Sequence, residues 1–397
     1  MWPTKGWLSD YLRYTDGHES PTEFHFWNAV AIVGATIQRK MWVDKGYYKV
    51  YPNHYVVLVS PPGACRRSVS TNIAMRILRQ SQQAFVISEK VTPEGLVATL
   101  EQTGVKLEST SRVVVNCTAI IHAPELSVFL GRQQYNEGMI ALLTTLYDSP
   151  DEWTYITRTK GEITLRNVSL SLLGTTAPDW LAEAIPQIAF GGGFLSRIIF
   201  VGREATDRIF PIPAKPDAAL GEDLVRRLAG IGQSTGGYRF SERAVPWYDK
   251  WYRANRRPAI EDLRLSGYYE RKQDHLLRLA LVMNAATRAD FELRVEDLEQ
   301  ALAVLDYLEP QLPSTFRNIE ATPTGRQHQR VLQFIERSGG RVQHSQLLGR
   351  LRNWMNARQL KEVEETLQEA GLIGRELDGR KEWWFLIDNG KEDGHGR

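Results

Sequence analysis

Four short apolar runs, Tyr55–Val59, Ala84–Ile87, Val113–Ile121 and Val168–Leu173, are separated by segments of helical periodicity. This alternation constrains the fold most, because strands buried on both faces read as continuous apolar stretches and need helices to cover them. It predicts an α/β core built on a mostly parallel sheet. The run Tyr55–Val59 stops at Ser60-Pro61-Pro62-Gly63 and gives way to a helix-compatible segment reaching about Gln80. A strand, a tight loop and a helix therefore follow one another directly.

A chain of 397 residues has room for two or three domains. Residues 1–53 read as an amphipathic helical collar, with Trp7, Leu8, Tyr11, Phe24 and Trp27 at helical spacing and an aromatic strand pair around Met41–Val50. The core is expected over 54–205 and an all-helical lid over 206–312. A linker bearing Pro313 and Pro323 covers 313–325. Residues 326–388 run helix, helix, helix and two strands with a turn at Asp378-Gly379, the order of a winged helix, and 389–397 read as a disordered tail.

Lys and Arg (49) nearly balance Asp and Glu (47), so nucleic-acid contact, if made, has to be local. Two cysteines, Cys65 and Cys117, are too few for a disulfide framework and fit a reducing compartment, so a cytoplasmic location is expected. The longest apolar stretch, around Ala29–Ile37, is well short of the ~20 residues of a membrane helix.

The loop Pro62-Gly63-Ala64-Cys65-Arg66-Arg67-Ser68 has the parts of a phosphate cradle. Such a cradle needs backbone N–H groups in a tight turn, a cation for the phosphates and a hydroxyl for magnesium. Gly63, Arg67 and Ser68 fill these roles, with Arg66 an open alternative to Arg67. A plain proline-containing turn is the other reading. Arginine stands where a lysine is usual, and its forked guanidinium favours nucleotide binding over rapid turnover.

Further along, Glu125 ends the apolar run Val113–His122 after Pro124, in the place of a carboxylate that polarises an attacking water. A helix-capping glutamate is the alternative. Thr175, at the end of Leu170–Leu173, is a candidate to orient that water. The segment Trp153–Arg166 reads as a hairpin whose tip carries Arg158 and Lys160, suited to a phosphate backbone, with a solvated edge hairpin guarded by its lysine equally open. Arg197 follows the loop Gly191-Gly192-Gly193 at the mouth of a strand and suits an arginine supplied in trans, with a structural ion pair as the alternative. Arg271 and Arg278, seven apart on one helix face, are candidate nucleotide-sensing charges. In the carboxy-terminal module Arg358 and Lys361 open the presumed recognition helix, which then turns acidic through Glu362, Glu364, Glu365 and Glu369. Arg375, Arg380 and Lys381 lie by the wing and are the candidate DNA contacts, with protein binding through the helix equally open.

Over residues 20–310 the chain resembles a P-loop ATPase family of phages, prophages and plasmids that is associated with replication genes. The resemblance rests on Tyr51–Gly63, Glu125–Gly131, Tyr147–Trp153, Leu173–Leu181 and Gly191–Val201. More distantly the order of parts is similar to minichromosome-maintenance-type AAA+ helicases. There a hairpin precedes the sensor strand, a Leu-Ser-Arg motif (Leu195-Ser196-Arg197) supplies the finger, and a winged helix ends the chain. The resemblance implies a P-loop NTPase (AAA+-like) core with ATP and Mg2+ bound, and a ring, usually a hexamer, moving on single-stranded DNA. A helicase or helicase loader is the expectation. The alternative is a hydrolysis-deficient DNA-binding scaffold that recruits a primase or recombinase.

Overall fold

The computed structural model describes residues 1–88, 90–109, 112–131, 133–157, 161–185, 193–255, 265–317, 323–352, 354–379 and 381–387. The chain divides into two compact units, Met1–Ile319 and Glu320–Arg397.

The first unit opens with α1 (Gly6–Tyr14) and α2 (Thr22–Ile37), then β1 (Met41–Asp44), β2 (Lys49–Val50) and β3 (Tyr55–Val59). Next come α3 (Arg67–Ser81), β4 (Val86–Ser88), α4 (Pro93–Gln102), β5 (Val105–Ser109), β6 (Arg112–Asn116) and β7 (Thr118–Ala123). They lead to α5 (Leu126–Leu130), α6 (Gln133–Tyr147), β8 (Glu152–Thr157), β9 (Gly161–Arg166), β10 (Ser169–Thr176), α7 (Pro178–Ala184) and β11 (Ile198–Gly202). The unit closes with α8 (Ala218–Ile231), β12 (Gly236–Phe240), α9 (Ala244–Asn255), α10 (Ser266–Ala285), β13 (Glu292–Leu293), α11 (Val295–Leu308) and α12 (Leu312–Arg317).

Five strands form one sheet in the order β11-β3-β10-β7-β4, and every neighbouring pair is parallel. All five residues of β3 and all eight of β10 are buried, which is why these strands read as unbroken apolar runs. From β3 the chain crosses to the far edge strand β4, then returns through β7 and β10 before reaching β11 on the other side of β3. Right-handed crossovers send connections that travel in opposite directions to opposite faces. The loops after β3 and β10 therefore part, leaving a crevice at the carboxyl ends of the two central strands.

The collar expected over 1–53 is part of this core. Helix α2 is buried at every position but its first, so it is apolar all round and lies flat on the sheet. A Cβ on Gly34 would sit 2.3 Å from the Pro52 carbonyl oxygen, so the helix approaches the chain before β3 as only glycine allows. The lid expected over 206–312 is not all-helical. Strands β12 and β13 extend the β1–β2 pair into a sheet ordered β13-β12-β1-β2, an arrangement hidden because β12 carries two glycines and β13 is two residues long. Part of the proline-bearing linker is likewise helix α12, because a proline is tolerated in a first helical turn. The run Val113–Ile121 divides into β6 and β7, and the Trp153–Arg166 hairpin forms as β8 and β9.

The second unit contains α13 (Pro323–Arg337), β14 (Arg341–Gln343), α14 (His344–Leu351), α15 (Ala357–Glu369), β15 (Ile373–Asp378) and β16 (Lys381–Leu386). Its antiparallel sheet runs β14-β16-β15. Leu360, Val363 and Leu367 on α15 and Val331 and Ile335 on α13 repeat at helical spacing and fill a separate core with Trp384. The short strand β14 is the element that the sequence pattern did not announce. Among the described residues no helix is long and apolar enough to cross a membrane.

Candidate functional site

The carboxyl ends of β3, β7, β10 and β11 meet around the Ser60–Ser68 loop. The loop leaves β3 through Pro61 and Pro62, turns at Gly63 with φ +76°, and enters α3 through Arg66 with φ +49°. Glycine adopts the first conformation freely, whereas an arginine in the left-handed region costs about 1 kcal/mol, strain of the kind that collects at binding sites. The loop is pinned from within: Ser20 Oγ donates to the carbonyls of Cys65 (2.9 Å) and Arg66 (3.1 Å), and Cys65 is buried with its thiol against the Arg203 carbonyl. Pro62, Gly63 and Ser68 are exposed, Ala64 is half-buried, and no side chain caps the start of α3. The first-turn N–H groups of a helix have no partner of their own, so an uncapped start beside an open loop favours an anion.

The structure separates the two arginines. Arg66 turns away to Glu19 at 2.8 Å. Arg67 is half-buried, its guanidinium donating to the Ser60 carbonyl at 2.6 Å; burial lowers its pKa and the nearby Glu125 carboxylate opposes that shift. Arg67 is thus the cation of the site, held against its own loop.

Glu125 stands between β7 and α5 but does not cap that helix. Its Oε1 accepts from Ser127 Oγ (3.1 Å) and from Thr176 Oγ1 (3.1 Å) on the neighbouring strand β10. Thr175, the hydroxyl expected to serve here, is buried and donates to the Pro124 carbonyl at 2.5 Å. Successive residues of a strand face opposite ways, and in the register of β10 it is Thr176 that reaches the carboxylate.

A pocket of about 310 Å³ opens beside the loop, lined by Ser60, Pro61, Pro178, Arg203, Gln311 and Thr315 among others. Its far wall is α12, which approaches so closely that a Cβ on Gly202 would lie 2.2 Å from Thr315 Oγ1. Arg203 pairs with the buried Glu23 at 3.2 Å, and Glu23 also accepts from Tyr307. Gln311 carries a buried Oε1 with no hydrogen-bond partner. None of these was singled out from the sequence. Arg203, just past the apolar run Ile198–Val201, was the one within reach of pattern reading, whereas Gln311 and Thr315 were masked by the linker-like prolines.

Arg197 and Arg271 lie elsewhere. Both meet Asp148, at 2.6 and 3.2 Å, and Arg197 also donates to the Gly193 carbonyl. Arg197 immediately precedes β11, and Ile198 pairs with Tyr55, the first residue of β3. This cluster is therefore at the amino ends of the strands, on the order of 15 Å from the loop at a rise of about 3.3 Å per residue. Arg271 does not reach the loop of its own chain, and Arg197, nine-tenths buried, is engaged in an internal ion pair in place of the free finger expected. Arg278 is buried at the same end, donating to the carbonyls of Tyr51 and Asn53 and lying 4.3 Å over the Tyr147 ring, with its Nε unpartnered.

No family model matches the chain, and no curated protein matches its sequence. One solved structure that it matches is described as the A form apo structure of the NrS-1 C terminal region; identity is 9%, the alignment covers 98% of this chain and 76% of that one, and the TM-score is 0.27. A TM-score this low carries no argument about fold or function.

Of the expected DNA contacts, Arg158, Lys160 and Arg380 lie outside the described residues. Arg375 is held by Glu382 at 2.6 Å, and Lys381 starts β16 beside it.

Proposed function

We propose that the first unit is a nucleoside-triphosphate-binding ATPase of the P-loop, AAA+-like kind, acting on DNA as a helicase or helicase loader. One observation carries the reading: Arg67, Glu125 and Thr176, from three different sheet connections, converge at the carboxyl ends of adjacent central strands beside an uncapped helix start. That crevice is where open parallel sheets bind ligands. The exposed loop, the left-handed Arg66 and the adjoining pocket suit ATP: loop N–H groups and Arg67 for phosphates, and the pocket around Arg203 and Gln311 for the rest. Ser68 is the hydroxyl available to magnesium, which when bound would neutralise phosphate charge. Glu125, oriented by Ser127 and Thr176, would take the proton of the attacking water.

The Asp148 cluster bears on assembly. Arg197 and Arg271 serve a nucleotide only if it belongs to a neighbouring subunit and only once they release Asp148, so the ring rests on the order of parts alone. The second unit supports a winged-helix reading by its order of three helices and a β-hairpin.

A specific contact favours the slower alternative, a nucleotide-binding scaffold. Arg67 is already spent on the Ser60 carbonyl and has to release it to engage phosphate.

Steady-state ATP hydrolysis at low salt, with and without single-stranded DNA, tests both readings. Glu125→Gln is expected to lower turnover at least ~100-fold, in line with loss of a general base, while ATP affinity stays within about threefold. Unchanged turnover in this variant would remove Glu125 from the chemistry. ATP binding without turnover in the unaltered protein would leave the scaffold reading standing.

A further inference from the structure

In the second unit, Arg375 of the expected DNA contacts and both cations that open α15 are neutralised within the fold, whereas Lys381 makes no ion pair among the described residues. Arg358 pairs with Glu362 (3.1 Å) and Lys361 with Glu365 (3.8 Å) along α15, Arg375 pairs with Glu382 (2.6 Å) on the β15–β16 hairpin, and Arg341 pairs with Glu376 (2.7 Å). A basic residue tied to a carboxylate adds little attraction for phosphate.

A different face of the same unit has the opposite character. Arg330 on α13, Arg350 on α14 and Arg352 just after it make no ion pair among the described residues. Beside them Trp354 leaves 54% of its surface exposed, with the Arg330 guanidinium 5.4 Å from its ring centroid. Phe334, Ser338, Gly349, Arg350, Arg352 and Trp354 line a concavity of about 760 Å³ on this face. Arg330 and Phe334 are spaced four apart on one side of α13, and Ser338 follows directly after the helix. A large exposed indole beside guanidinium groups that no carboxylate pairs has the two elements that bind single-stranded nucleic acid without regard to sequence. Cations track the backbone and an aromatic face takes a base by stacking.

We infer that the α13–α14 face, centred on Trp354 with Arg330, Arg350 and Arg352, binds single-stranded nucleic acid, and that the ion-paired residues of α15 and of the β15–β16 strands do not. The face has room for a base on Trp354 with its adjoining phosphates on Arg350 and Arg352. The inference shares the DNA-directed part of the proposed function but not its ATPase part.

The test is fluorescence anisotropy of the full chain with a labelled oligo(dT), titrated at several salt concentrations. Trp354→Ala is expected to weaken binding roughly tenfold and Trp354→Phe to restore most of it, as stacking requires. Arg350→Ala/Arg352→Ala should lower the salt dependence of log K by about 1.4, two single-strand phosphates' worth. Arg375→Ala/Lys381→Ala should leave affinity within twofold. The inference is overturned if the unaltered chain binds no oligo(dT), if Trp354→Ala and the arginine double variant bind as the unaltered chain does, if Trp354→Phe restores nothing to a folded protein, if the Arg375/Lys381 variant is the one that fails, or if duplex of equal length binds more tightly. ATP hydrolysis measured on the same preparations separates the two ideas: oligo(dT) binding that depends on Trp354 in a chain without turnover upholds this surface and removes the ATPase.

Discussion

Thr175 and Thr176 are chemically equivalent neighbours, and only the register of β10 decides which one serves Glu125. Thr176 donates to the carboxylate, whereas the buried Thr175 hydroxyl donates to the Pro124 carbonyl. The two valine substitutions should separate these roles. Thr176→Val is expected to reduce ATP turnover about tenfold or more, since orienting a base is worth part of what the base supplies, with little effect on the urea midpoint. Thr175→Val is expected to cost about 1 kcal/mol of stability by removing the hydrogen bond that the buried Thr175 hydroxyl makes, with a smaller effect on turnover. Equal turnover losses would remove the distinction. The arginines teach the same lesson: in the sequence Arg66 and Arg67 are interchangeable, and the geometry places Arg67 on the Ser60 carbonyl, within the field of Glu125, and Arg66 on Glu19.

At the scale of an element, α15 carries the most informative local conflict. Its buried stripe of Leu360, Val363 and Leu367 includes Glu364, only 3% exposed. Burial, then the neighbouring Glu382, pushes its carboxyl from an ordinary 4.5 up to about 7, with Arg375 opposing and His344 at 3.3 Å from α14. A carboxyl with a raised folded value favours the fold fully below 4.5 and loses that contribution as the pH climbs through 7. Glu364→Gln should therefore stabilise the second unit at pH 8 by about 2–3 kcal/mol and give no such gain at pH 4.5. Urea unfolding followed at both pH values checks this, and an equal shift at the two pH values would exclude the buried acid as its cause. Strand α-helix alternation was legible for β3, β4, β10 and their helices, because a period of two or an unbroken apolar run survives in the sequence. Strands β12, β13 and β14 were not, since strands of two to five residues, glycine-rich in one case, leave no periodic trace.

Across the first unit, four buried histidines set the acid limit among the described residues, His122, lowered by burial to about 4, being the least shifted. Desolvation holds His25, His54 and His275 near a pKa of about 3, against an ordinary 6.5. Each supports a packing junction: His25 contacts His18, His54 Nδ1 bonds the Pro52 carbonyl, and His275 Nε2 bonds the Ser196 carbonyl. The unfolded chain takes up these protons near 6.5 and the fold only near 3. The stability they contribute is therefore complete above 6.5 and drains as the pH falls towards 3, by about 2 kcal/mol for each at pH 5. Urea midpoints at pH 7 and pH 5 should differ by several kcal/mol in derived stability, and a flat profile between them would show that the histidines are not neutral in the fold.

What the sequence determined by itself was the class of the core, the strand-loop-helix at Tyr55–Ser68, the identity of Glu125 as a strand-end carboxylate, and the element order of the second unit. All of these depend on residue type and periodicity within a window of some twenty residues. The tertiary structure decided the rest: that β3 and β10 are neighbours, so that Arg67, Glu125 and Thr176 meet; that Arg197 and Arg271 sit at the amino ends of the strands on a shared Asp148; that α12 walls a pocket where a linker was expected; and that the unpaired cations of the second unit flank Trp354. All but the placing of Arg350 and Arg352 beside Trp354 are contacts between residues tens to hundreds of positions apart. Strand order and ion-pair partnership are set by how elements pack, and no local pattern records them.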